Sequence, residues 1–186
     1  VNAENRKQLK ELAAFSAVDF VQSGMVIGLG HGSTANLAIR HLGKLIGEGE
    51  LQDILAVPCS RDTGLKAMDA GIPLTTLEEH ATIDLTIDGA DEVDPQMNLI
   101  KGRGGALLRE RIVAQAGARE IIIVDDSKVS PVIGTKSPVP VEVIPFGWTS
   151  QAVFLEKMGA RVALRKKKDG EIFTTDEGNF IIDCRF

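Results

Sequence analysis

Cysteine and aromatic residues are scarce in this chain. Its 186 residues include two cysteines, one tryptophan and no tyrosine. Cys59 and Cys184 lie far apart and outside any CxxC or Cys/His ligand spacing, so the sequence indicates neither a disulfide framework nor a zinc site. This cysteine usage favours a reducing compartment, and we expect the protein in the cytoplasm or, after processing, in the stroma of an organelle.

Long apolar runs and an excess of basic residues are also missing. No segment approaches the roughly 18 apolar residues of a membrane span, and the N-terminal residues lack the basic-then-apolar pattern of a signal peptide. The formal net charge is −5, whereas a protein that binds phosphate backbones normally has a basic face. We therefore expect neither a membrane nor a nucleic acid as partner, and any anionic ligand must be attracted locally.

What the sequence does contain is an alternation of short apolar strands with helices. The strands lack a polar alternation, which is typical of a parallel sheet covered on both faces. We predict an α/β fold, a parallel sheet with helices on both faces, in a first domain over residues 1–130. Its predicted strands cover residues 25–29, 54–57, 72–75, 83–87 and 120–124, and its predicted helices cover residues 3–22, 35–46, 62–69 and 105–116.

A change of character at residues 131–145 predicts a domain boundary. Four prolines fall within these fifteen residues, and the segments that follow have the turn signals of hairpins. We predict a small α+β domain over residues 131–186, and we expect it to be incomplete because one helix leaves little to cover a four-stranded face. Its predicted strands cover residues 139–143, 160–164, 172–174 and 180–183, and its predicted helix covers residues 149–158.

The first candidate site is the glycine-rich loop at residues 28–34, between a strand and a helix. Its three glycines let the backbone approach an anion, while Ser33 and Thr34 offer hydroxyl and amide donors at a helix N-terminus. The glycine spacing fits neither the dinucleotide fingerprint nor a P-loop. His31 is the only one of the three histidines in a candidate site. The loop indicates a phosphate site, with a tight turn that binds nothing as the alternative.

A second candidate site lies at the end of the strand predicted over residues 83–87, where Asp88 and Asp91 follow. Open α/β sheets place ligands at the carboxyl ends of their strands. One of two acids this close in sequence can have a shifted pKa and transfer protons near neutrality, and the same oxygens suit magnesium. An acidic surface loop is the third interpretation, and the residues alone leave all three open.

Cations and a further acid follow on residues 101–110. Lys101 and the glycine-rich turn at residues 102–105 can hold an oxyanion by charge and by backbone amides. Glu110 lies on the next predicted helix, and Lys128 follows the last predicted strand of the first domain. A helical glutamate or a lysine at a strand end is more often exposed to solvent, so a surface position without a function is the alternative for both Glu110 and Lys128.

Five ordered motifs span most of the chain. They are Gly28-Leu29-Gly30-x-Gly32-Ser33-Thr34-Ala35, Ile87-Asp88-Gly89-Ala90-Asp91-Glu92-Val93-Asp94, Lys101-Gly102-x-Gly104-Gly105-Ala106-Leu107-Leu108-Arg109-Glu110, Asp125-Asp126-Ser127-Lys128 and Pro140-Val141-Glu142-Val143-Ile144-Pro145. Together they resemble the type A ribose 5-phosphate isomerase family, and their number and order make the resemblance specific.

The resemblance implies an enzyme of the pentose phosphate pathway that interconverts ribose 5-phosphate and ribulose 5-phosphate through an enediolate, without metal or organic cofactor. It implies Glu110 as the base between C1 and C2, Asp88 for ring opening and proton traffic, and Asp91 for sugar hydroxyls. Lys101 would stabilise the oxyanion. The implied substrate contacts are Lys10, His31, Gly32, Ser33, Thr34, Gly89, Ala90, Gly102, Arg103, Gly104 and Lys128.

The family also implies a Rossmann-like parallel α/β large domain and a ferredoxin-like α+β small domain that makes oligomer contacts, so we expect a homo-oligomer, either a dimer or a tetramer. In the family the chain continues past Asp183 with a helix, a strand and a segment that returns to the large domain. That completion is absent from this sequence. Two positions depart from the family pattern: His31 stands where threonine is common, and Arg103 replaces a glycine.

Two other functions compete with this interpretation. A non-catalytic sugar-phosphate sensor on the same fold would keep the phosphate loop and lose the base, so the presence of Glu110 with Asp88 and Lys101 counts against it. A nicotinamide-dependent dehydrogenase is disfavoured by the glycine spacing. It is also disfavoured because no acid that could bind a ribose hydroxyl follows the second predicted strand.

Overall fold

The computed structural model describes residues 3–186 of the chain. A 3-10 turn, Asp126–Lys128, follows the sixth strand. None of the helices described over residues 3–186 is long and apolar enough to cross a lipid bilayer. In chain order the helices and strands are α1 (Ala3–Val18), β1 (Val26–Leu29), α2 (Ala35–Gly47), β2 (Leu55–Pro58), α3 (Arg61–Asp69), β3 (Leu85–Gly89), β4 (Glu92–Val93), β5 (Leu99–Ile100), α4 (Leu107–Ala116), β6 (Glu120–Ile123), β7 (Val139–Val143), α5 (Trp148–Lys157), β8 (Arg161–Leu164) and β9 (Phe180–Arg185).

The chain divides into two compact units. The first unit contains the residues up to Gly89 together with Arg109–Ser127, and the second contains Ala90–Leu108 and Lys128–Phe186. Residues 90–108 thus group with the second unit, although the sequence predicts them as part of the first domain. The domain boundary at residue 130 stays a prediction.

The first unit is built on a four-stranded parallel sheet with the strand order β2-β1-β3-β6. In β3, four consecutive residues from Leu85 to Asp88 are buried, as expected for a strand covered on both faces. In the register of the sheet, Leu29 pairs with Pro58 and with Ile87, so β1, β2 and β3 end side by side. The loops that leave these strands therefore start from one edge of the sheet, where α/β sheets bind ligands.

The helices of the first unit present apolar residues to its core. In α2 the buried residues Ala35, Ala38, Ile39 and Leu42 recur at the three- and four-residue spacing of one helix face. Of these, Ile39 and Leu42 are each 1% exposed, and burial of such a side chain contributes about 1.5–3 kcal/mol to folding. The helix predicted over residues 3–22 ends earlier than expected, at Val18.

The second unit contains a three-stranded antiparallel sheet with the order β7-β9-β8 and a short β4-β5 hairpin. The central strand β9 pairs with both neighbours, and its residues Ile181, Ile182 and Cys184 are buried. Ala152 and Leu155 of α5 pack against the apolar cluster of this sheet. Together with the parallel sheet of the first unit, this architecture confirms the predicted fold class.

The strand predicted over residues 72–75 is wrong. There Leu74 forms only an isolated parallel bridge with Ala56. The residue before it, Pro73, has no N–H with which to extend a ladder of hydrogen bonds. The apolar run is therefore reduced to a single bridge beside β2.

The strand predicted over residues 172–174 is wrong as well. Ile172 forms an isolated antiparallel bridge with Lys166. No longer ladder follows because the chain already turns at Thr175, whose N–H donates to the carbonyl of Asn179 at 2.9 Å. A single bridge is all that this short segment contributes to the second unit.

The β4-β5 hairpin was not predicted, because strands of two residues carry no periodic signal. Asp94 fixes its turn by accepting hydrogen bonds from the N–H groups of Gln96 and Asn98 at 3.0 and 2.9 Å. A third bond comes from the Asn98 side chain at 2.9 Å, and it is the largest cause of a lowered pKa at Asp94. This acid of the second motif is therefore structural.

Glu92 is a completely buried carboxylate in the second unit. The N–H groups of Thr135, Lys136 and Ser137 donate to it at 3.2, 3.2 and 2.8 Å. Burial is the largest single influence and raises its pKa, but the nearby Ser130 hydroxyl and the hydrogen bonds from these three residues together outweigh it. They hold the pKa of Glu92 at about 2, below the ordinary value of 4.5. One ionised side chain thus holds three consecutive N–H groups, those of residues 135–137.

We predict that Glu92→Gln destabilises the protein, because an amide directs donors at N–H groups that need an acceptor. The pKa is depressed in the folded state, so the stabilisation is fully present above pH 4.5 and is lost as the pH falls towards about 2. Urea denaturation of wild type and variant should therefore show a large difference in the free energy of unfolding at about pH 7 and a smaller one at about pH 3.

The control for this measurement is Glu156→Gln, which changes an exposed acid of α5. Its free energy of unfolding should follow that of the wild type at both pH values. A difference between wild type and Glu92→Gln that does not change with pH would contradict the assignment of Glu92 as an ionised anchor.

Candidate active site

The loop after β1 is held against Asp88, which lies near the end of the neighbouring strand β3. Asp88 is 1% exposed, and its Oδ1 accepts hydrogen bonds from the N–H groups of His31 at 3.0 Å and Gly89 at 2.6 Å. A Cβ atom at Gly30 would lie 2.0 Å from Asp88 Oδ1 and 2.5 Å from Asp88 Cα. Only glycine fits there, so this glycine lets the loop pack directly onto the carboxylate.

The same loop leads into the first turn of α2. Gly32 has a φ of 114°, in the region that favours glycine. Thr34 is the N-cap residue, and its side chain makes no capping hydrogen bond. The start of this 13-residue helix therefore offers N–H donors and partial positive charge beside Ser33 and Thr34, which supports the predicted phosphate site.

Lys10 and Ser33, two of the predicted substrate contacts, lie together. Lys10 Nζ donates to Ser33 Oγ at 3.0 Å and lies 3.8 Å from Asp125 Oδ2. Asp125 is 3% exposed, and its other oxygen accepts from the N–H of Ser127 at 3.0 Å. The buried Asp125 carboxylate thus holds the Lys10 ammonium group at the glycine loop, and this ammonium group supplies local positive charge in a protein whose net charge is negative.

His31 is linked to the loop after β2. Its Nδ1 lies 3.1 Å from Ser60 Oγ and 3.8 Å from Asp62 Oδ2. Ser60 Oγ donates to Thr63 Oγ1 at 2.8 Å, and Thr63 Oγ1 donates to the carbonyl of Gly30 at 3.2 Å. Because the only hydroxyl proton of Ser60 goes to Thr63, we assign the proton of the neutral imidazole to Nδ1, which donates to Ser60.

Glu110 is buried in α4, with 6% of its surface exposed. Glutamate is seldom so buried without a specific role or partner. The alternative of a solvated surface glutamate is therefore wrong. Its neighbours Arg109 and Arg111 are half-buried and exposed, respectively, so the charged sequence around Glu110 gave no sign that this one side chain turns inward.

The predicted oxyanion turn at residues 101–105 belongs to the second unit. Asp91 Oδ2 accepts a hydrogen bond from the N–H of Arg103 at 2.8 Å. Gly102 and Gly105 have φ values of 96° and 89°, and the N–H of Gly105 donates to the carbonyl of Gly102 at 3.0 Å. The structure thus brings Asp91 and the turn together, and the two glycines are required by the backbone path.

The predicted site residues divide between the two units. Lys128 is half-buried in the 3-10 turn, and Lys101 is half-buried at the start of its turn. No group of three or more His, Cys, Asp or Glu side chains in residues 3–186 is placed to hold a metal ion. The first unit contains Lys10, His31, Gly32, Ser33, Thr34, Asp88, Gly89 and Glu110, and the second contains Ala90, Asp91, Lys101, Gly102, Arg103, Gly104 and Lys128.

Sequence reasoning missed four residues that support these groups. Ser60 and Thr63 hold His31, Asp125 holds Lys10, and Gly30 makes room for Asp88. The sequence offered two weak signals for these residues. Ser60 stands at a helix start, which is typical of an N-cap, and Asp125 is the first acid of a motif in which it had no assigned role. Their contacts join residues far apart in the chain, which local patterns do not report.

The fold and these groups define an open α/β protein with a glycine-rich loop at a helix start, a carboxylate held by the backbone at a strand end, and a buried helical glutamate. Comparison with known proteins adds the family. Residues 55–186 match the family described as ribose 5-phosphate isomerase A (phosphoriboisomerase A), and the chain belongs to this family.

Individual relatives are similar over nearly the whole chain. Ribose-5-phosphate isomerase A of Chloroflexus aurantiacus is 55% identical over 185 residues, which cover 100% of this chain and 77% of that protein. The protein of the same name from Desulfatibacillum aliphaticivorans is 54% identical over 178 residues, which cover 96% of this chain and 77% of the relative.

Solved structures of isomerases are also similar. A D-ribose-5-phosphate isomerase in complex with phospho-erythronic acid has a TM-score of 0.94 and 42% identity, over 97% of this chain and 79% of that one. The ribose 5-phosphate isomerase from Plasmodium falciparum has a TM-score of 0.92 and 47% identity, over 96% of this chain and 78% of that one.

We predict that Gly30→Ala destabilises the protein by about 1–3 kcal/mol, because the added methyl group overlaps Asp88 and forces the loop or the strand to move. Gly47→Ala is the control, since a Cβ at Gly47 meets no atom within 4 Å. Urea denaturation of both variants measures the effect. Equal stability of the two variants would show that the loop does not depend on close packing against Asp88.

Proposed function

We propose that this protein is an aldose–ketose isomerase that interconverts D-ribose 5-phosphate and D-ribulose 5-phosphate through an enediolate. Membership of the family and similarity to relatives named ribose-5-phosphate isomerase A support the proposal. The observation that carries it is the burial of Glu110 within the segment that matches the family. A sensor that only binds sugar phosphates needs no buried base, whereas an isomerase does.

The reaction moves one proton between neighbouring carbons. Glu110 removes the proton from C2 of the open-chain aldose, and the electrons of that C–H bond form the C1=C2 bond while the aldehyde oxygen becomes negative. Glu110 then returns the proton to C1, and the hydroxyl proton at O2 moves to O1 as the ketone forms. No electrons leave the substrate, so the conversion needs no redox partner. A positioned general base contributes about 10²- to 10⁴-fold to such a rate.

Asp88 handles protons on the sugar oxygens during ring opening and during their exchange between O1 and O2. Its Oδ1 is held by the N–H groups of His31 and Gly89, so the carboxylate is fixed before the substrate binds. A fixed group has no orientational freedom to lose in the transition state. Asp91 binds hydroxyl groups of the sugar.

Lys101 and the amides of its turn stabilise the negative charge that develops on the enediolate. A preorganised cation and N–H donors stabilise this charge more than they stabilise the neutral ground state, which is the condition for catalysis. Gly102, Arg103 and Gly104 form this turn.

The phosphate group binds at the start of α2. Ser33 and the amides of Gly32 and Thr34 donate to it, and Lys10 contributes charge from its position 3.0 Å from Ser33 Oγ. Lys128 adds a second cation. The remaining substrate contacts are His31, Gly89 and Ala90.

The active protein is a homo-oligomer, either a dimer or a tetramer, and it acts in the cytoplasm or in the stroma of an organelle. The substrate is the small-molecule partner. Metal ions and organic cofactors are not needed for the proton transfer described above, because a carboxylate base and fixed donors supply both of its requirements.

We predict that Glu110→Gln lowers kcat by about 10²-fold or more with little change in KM, because the amide keeps the shape of the side chain and cannot accept the proton. The assay follows the formation of ribulose 5-phosphate from ribose 5-phosphate without added metal. Glu50→Gln, at an exposed acid, should keep the wild-type rate. A Glu110→Gln variant with more than about a tenth of that rate would rule out Glu110 as the base.

For Ser33→Ala we expect KM for ribose 5-phosphate to rise by about tenfold, because a hydrogen bond to a charged group contributes about 1.5–3 kcal/mol. The phosphate is bound equally in ground and transition states, so kcat should change little. Steady-state kinetics measures both constants, with Ser150→Ala on the exposed side of α5 as control. An unchanged KM would remove Ser33 from the phosphate site.

A further inference from the structure

Arg165, the residue after β8, holds the predicted oxyanion turn by its carbonyl groups. Its Nη1 donates to the carbonyls of Gly102 at 2.9 Å and Arg103 at 3.1 Å. Its Nε and Nη2 donate to the two oxygens of Asp183 at 2.9 and 2.5 Å. A guanidinium donates in a rigid planar fork, so the bidentate bond to Asp183 fixes the direction in which Nη1 meets the turn.

The backbone of this pair is fixed by the antiparallel sheet of the second unit. The N–H of Arg165 donates to the carbonyl of Ile181 at 2.8 Å, and its carbonyl accepts from the N–H of Phe173 at 3.0 Å. Asp183 pairs with Ala163 in the β8-β9 ladder. The turn is therefore held from regular secondary structure, which positions a group more accurately than a loop does.

The carbonyl bonds decide where the amides of the turn point. A peptide group is planar and trans, so its C=O and N–H point in opposite directions. Holding the carbonyl of Arg103 on Arg165 therefore turns the N–H of Gly104 away from Arg165. Holding the carbonyl of Gly102 does the same for the N–H of Arg103, which Asp91 Oδ2 accepts at 2.8 Å.

Gly104 has the exposed amide of the turn that remains for a ligand, whereas Gly102 is buried. Gly104 is exposed, and no acceptor in the described part of the chain bonds its N–H. The N–H of Arg103 is already used by Asp91, and that of Gly105 by the carbonyl of Gly102 at 3.0 Å. The contacts thus select one donor out of three consecutive ones.

Phe173 limits the other end of the turn. A Cβ at Gly105 would lie 2.4 Å from Phe173 Cζ, so the ring packs directly against the backbone. The guanidinium carbon of Arg165 lies 6.0 Å from the centroid of the same ring, at the limit of a cation–π contact. Arg165 and Phe173 together leave the turn little freedom to change its path.

We infer that Arg165, oriented by Asp183, is a positioning residue of the isomerase reaction: it fixes the turn so that the Gly104 amide donates to the oxygen that becomes negative in the enediolate. The inference deepens the proposed function and rests on it. Arg165 itself has no contact with the reacting atoms in this role. It acts through the direction of the peptide groups on either side of Arg103.

The experiment compares the kinetics of Arg165→Met with those of the wild type. A misplaced oxyanion donor weakens the transition state more than the ground state, so we expect kcat to fall by at least about tenfold while KM stays within about twofold, given that loss of one such donor costs about 10²- to 10³-fold. Arg165→Lys, which lacks the planar fork, and Asp183→Asn, which loosens it, should give intermediate losses.

Inhibition by phospho-erythronic acid supplies a second measurement. This compound is the ligand of a related isomerase structure, and its carboxylate carries negative charge on oxygens like that of an enediolate. We expect its inhibition constant to rise in Arg165→Met by a factor similar to the fall in kcat. A purely structural role would reduce the amount of active protein without changing the ratio of this constant to KM.

Arg185→Met is the matched control. Arg185 lines the same cavity as Arg103 and Arg165, and its substitution removes the same charge as Arg165→Met. This variant should keep kcat, KM and the inhibition constant within about twofold, since no carbonyl of residues 3–186 accepts a hydrogen bond from the Arg185 side chain. Circular dichroism and thermal unfolding check that each variant is folded. If Arg165→Met does not fold, Arg165→Lys and Asp183→Asn carry the same comparison.

The two proposals fail in different ways. If the wild type isomerises ribose 5-phosphate and Arg165→Met retains both its kcat and its inhibition constant, the positioning role is overturned and the proposed function stands. If the wild type has no isomerase activity, the proposed function falls. In that case amide hydrogen exchange of Arg103 decides whether Arg165 holds the turn: faster exchange in Arg165→Met than in Arg185→Met supports it, and equal exchange overturns it.

Discussion

The hydrogen bonds between the glycine loop and the Asp88 carboxylate constrain more of the first unit than any other contact. A carboxyl group buried without hydrogen bonds would cost several kcal/mol, and here the N–H groups of His31 and Gly89 offset that cost. The contact depends on the adjacency of β1 and β3, in which Leu29 lies opposite Ile87, and on the absence of a side chain at Gly30. The direction of α2 and the place of its first turn follow from it.

Buried acids serve the same purpose elsewhere in the molecule. Glu92 accepts hydrogen bonds from the N–H groups of residues 135–137. Asp94 stabilises the turn of a hairpin, and Asp125 forms an ion pair with Lys10. Each of these carboxylates is matched by donors, so its charge is compensated where it stands. These acids are a few of the 26 aspartates and glutamates of the chain, but because their charge is compensated locally, donors and a cation can lie together at the glycine loop despite a net charge of −5.

The sequence was sufficient for the fold class and for the position of the glycine loop between β1 and α2. Strand runs and helix periodicity are local, and so is a glycine loop between a strand and a helix. What it could not predict depends on contacts between distant residues: Arg165 meets the carbonyl of Gly102, 63 positions earlier in the chain, and Glu92 meets Ser137, 45 positions later. Burial of Glu110 is of the same kind, since nothing in its charged neighbourhood distinguishes an inward side chain from an exposed one.

The hydrogen bonds from His31 through Ser60 and Thr63 to Gly30 have an evolutionary consequence. A threonine at position 31 would have no ring nitrogen to reach Ser60, and an alanine at position 60 would leave the imidazole without the partner that selects its tautomer. Residues that share one hydrogen-bond network do not change independently. Substitutions at these two positions should therefore be non-additive, and a lineage that exchanges His31 would alter which residues are tolerated at the start of α3.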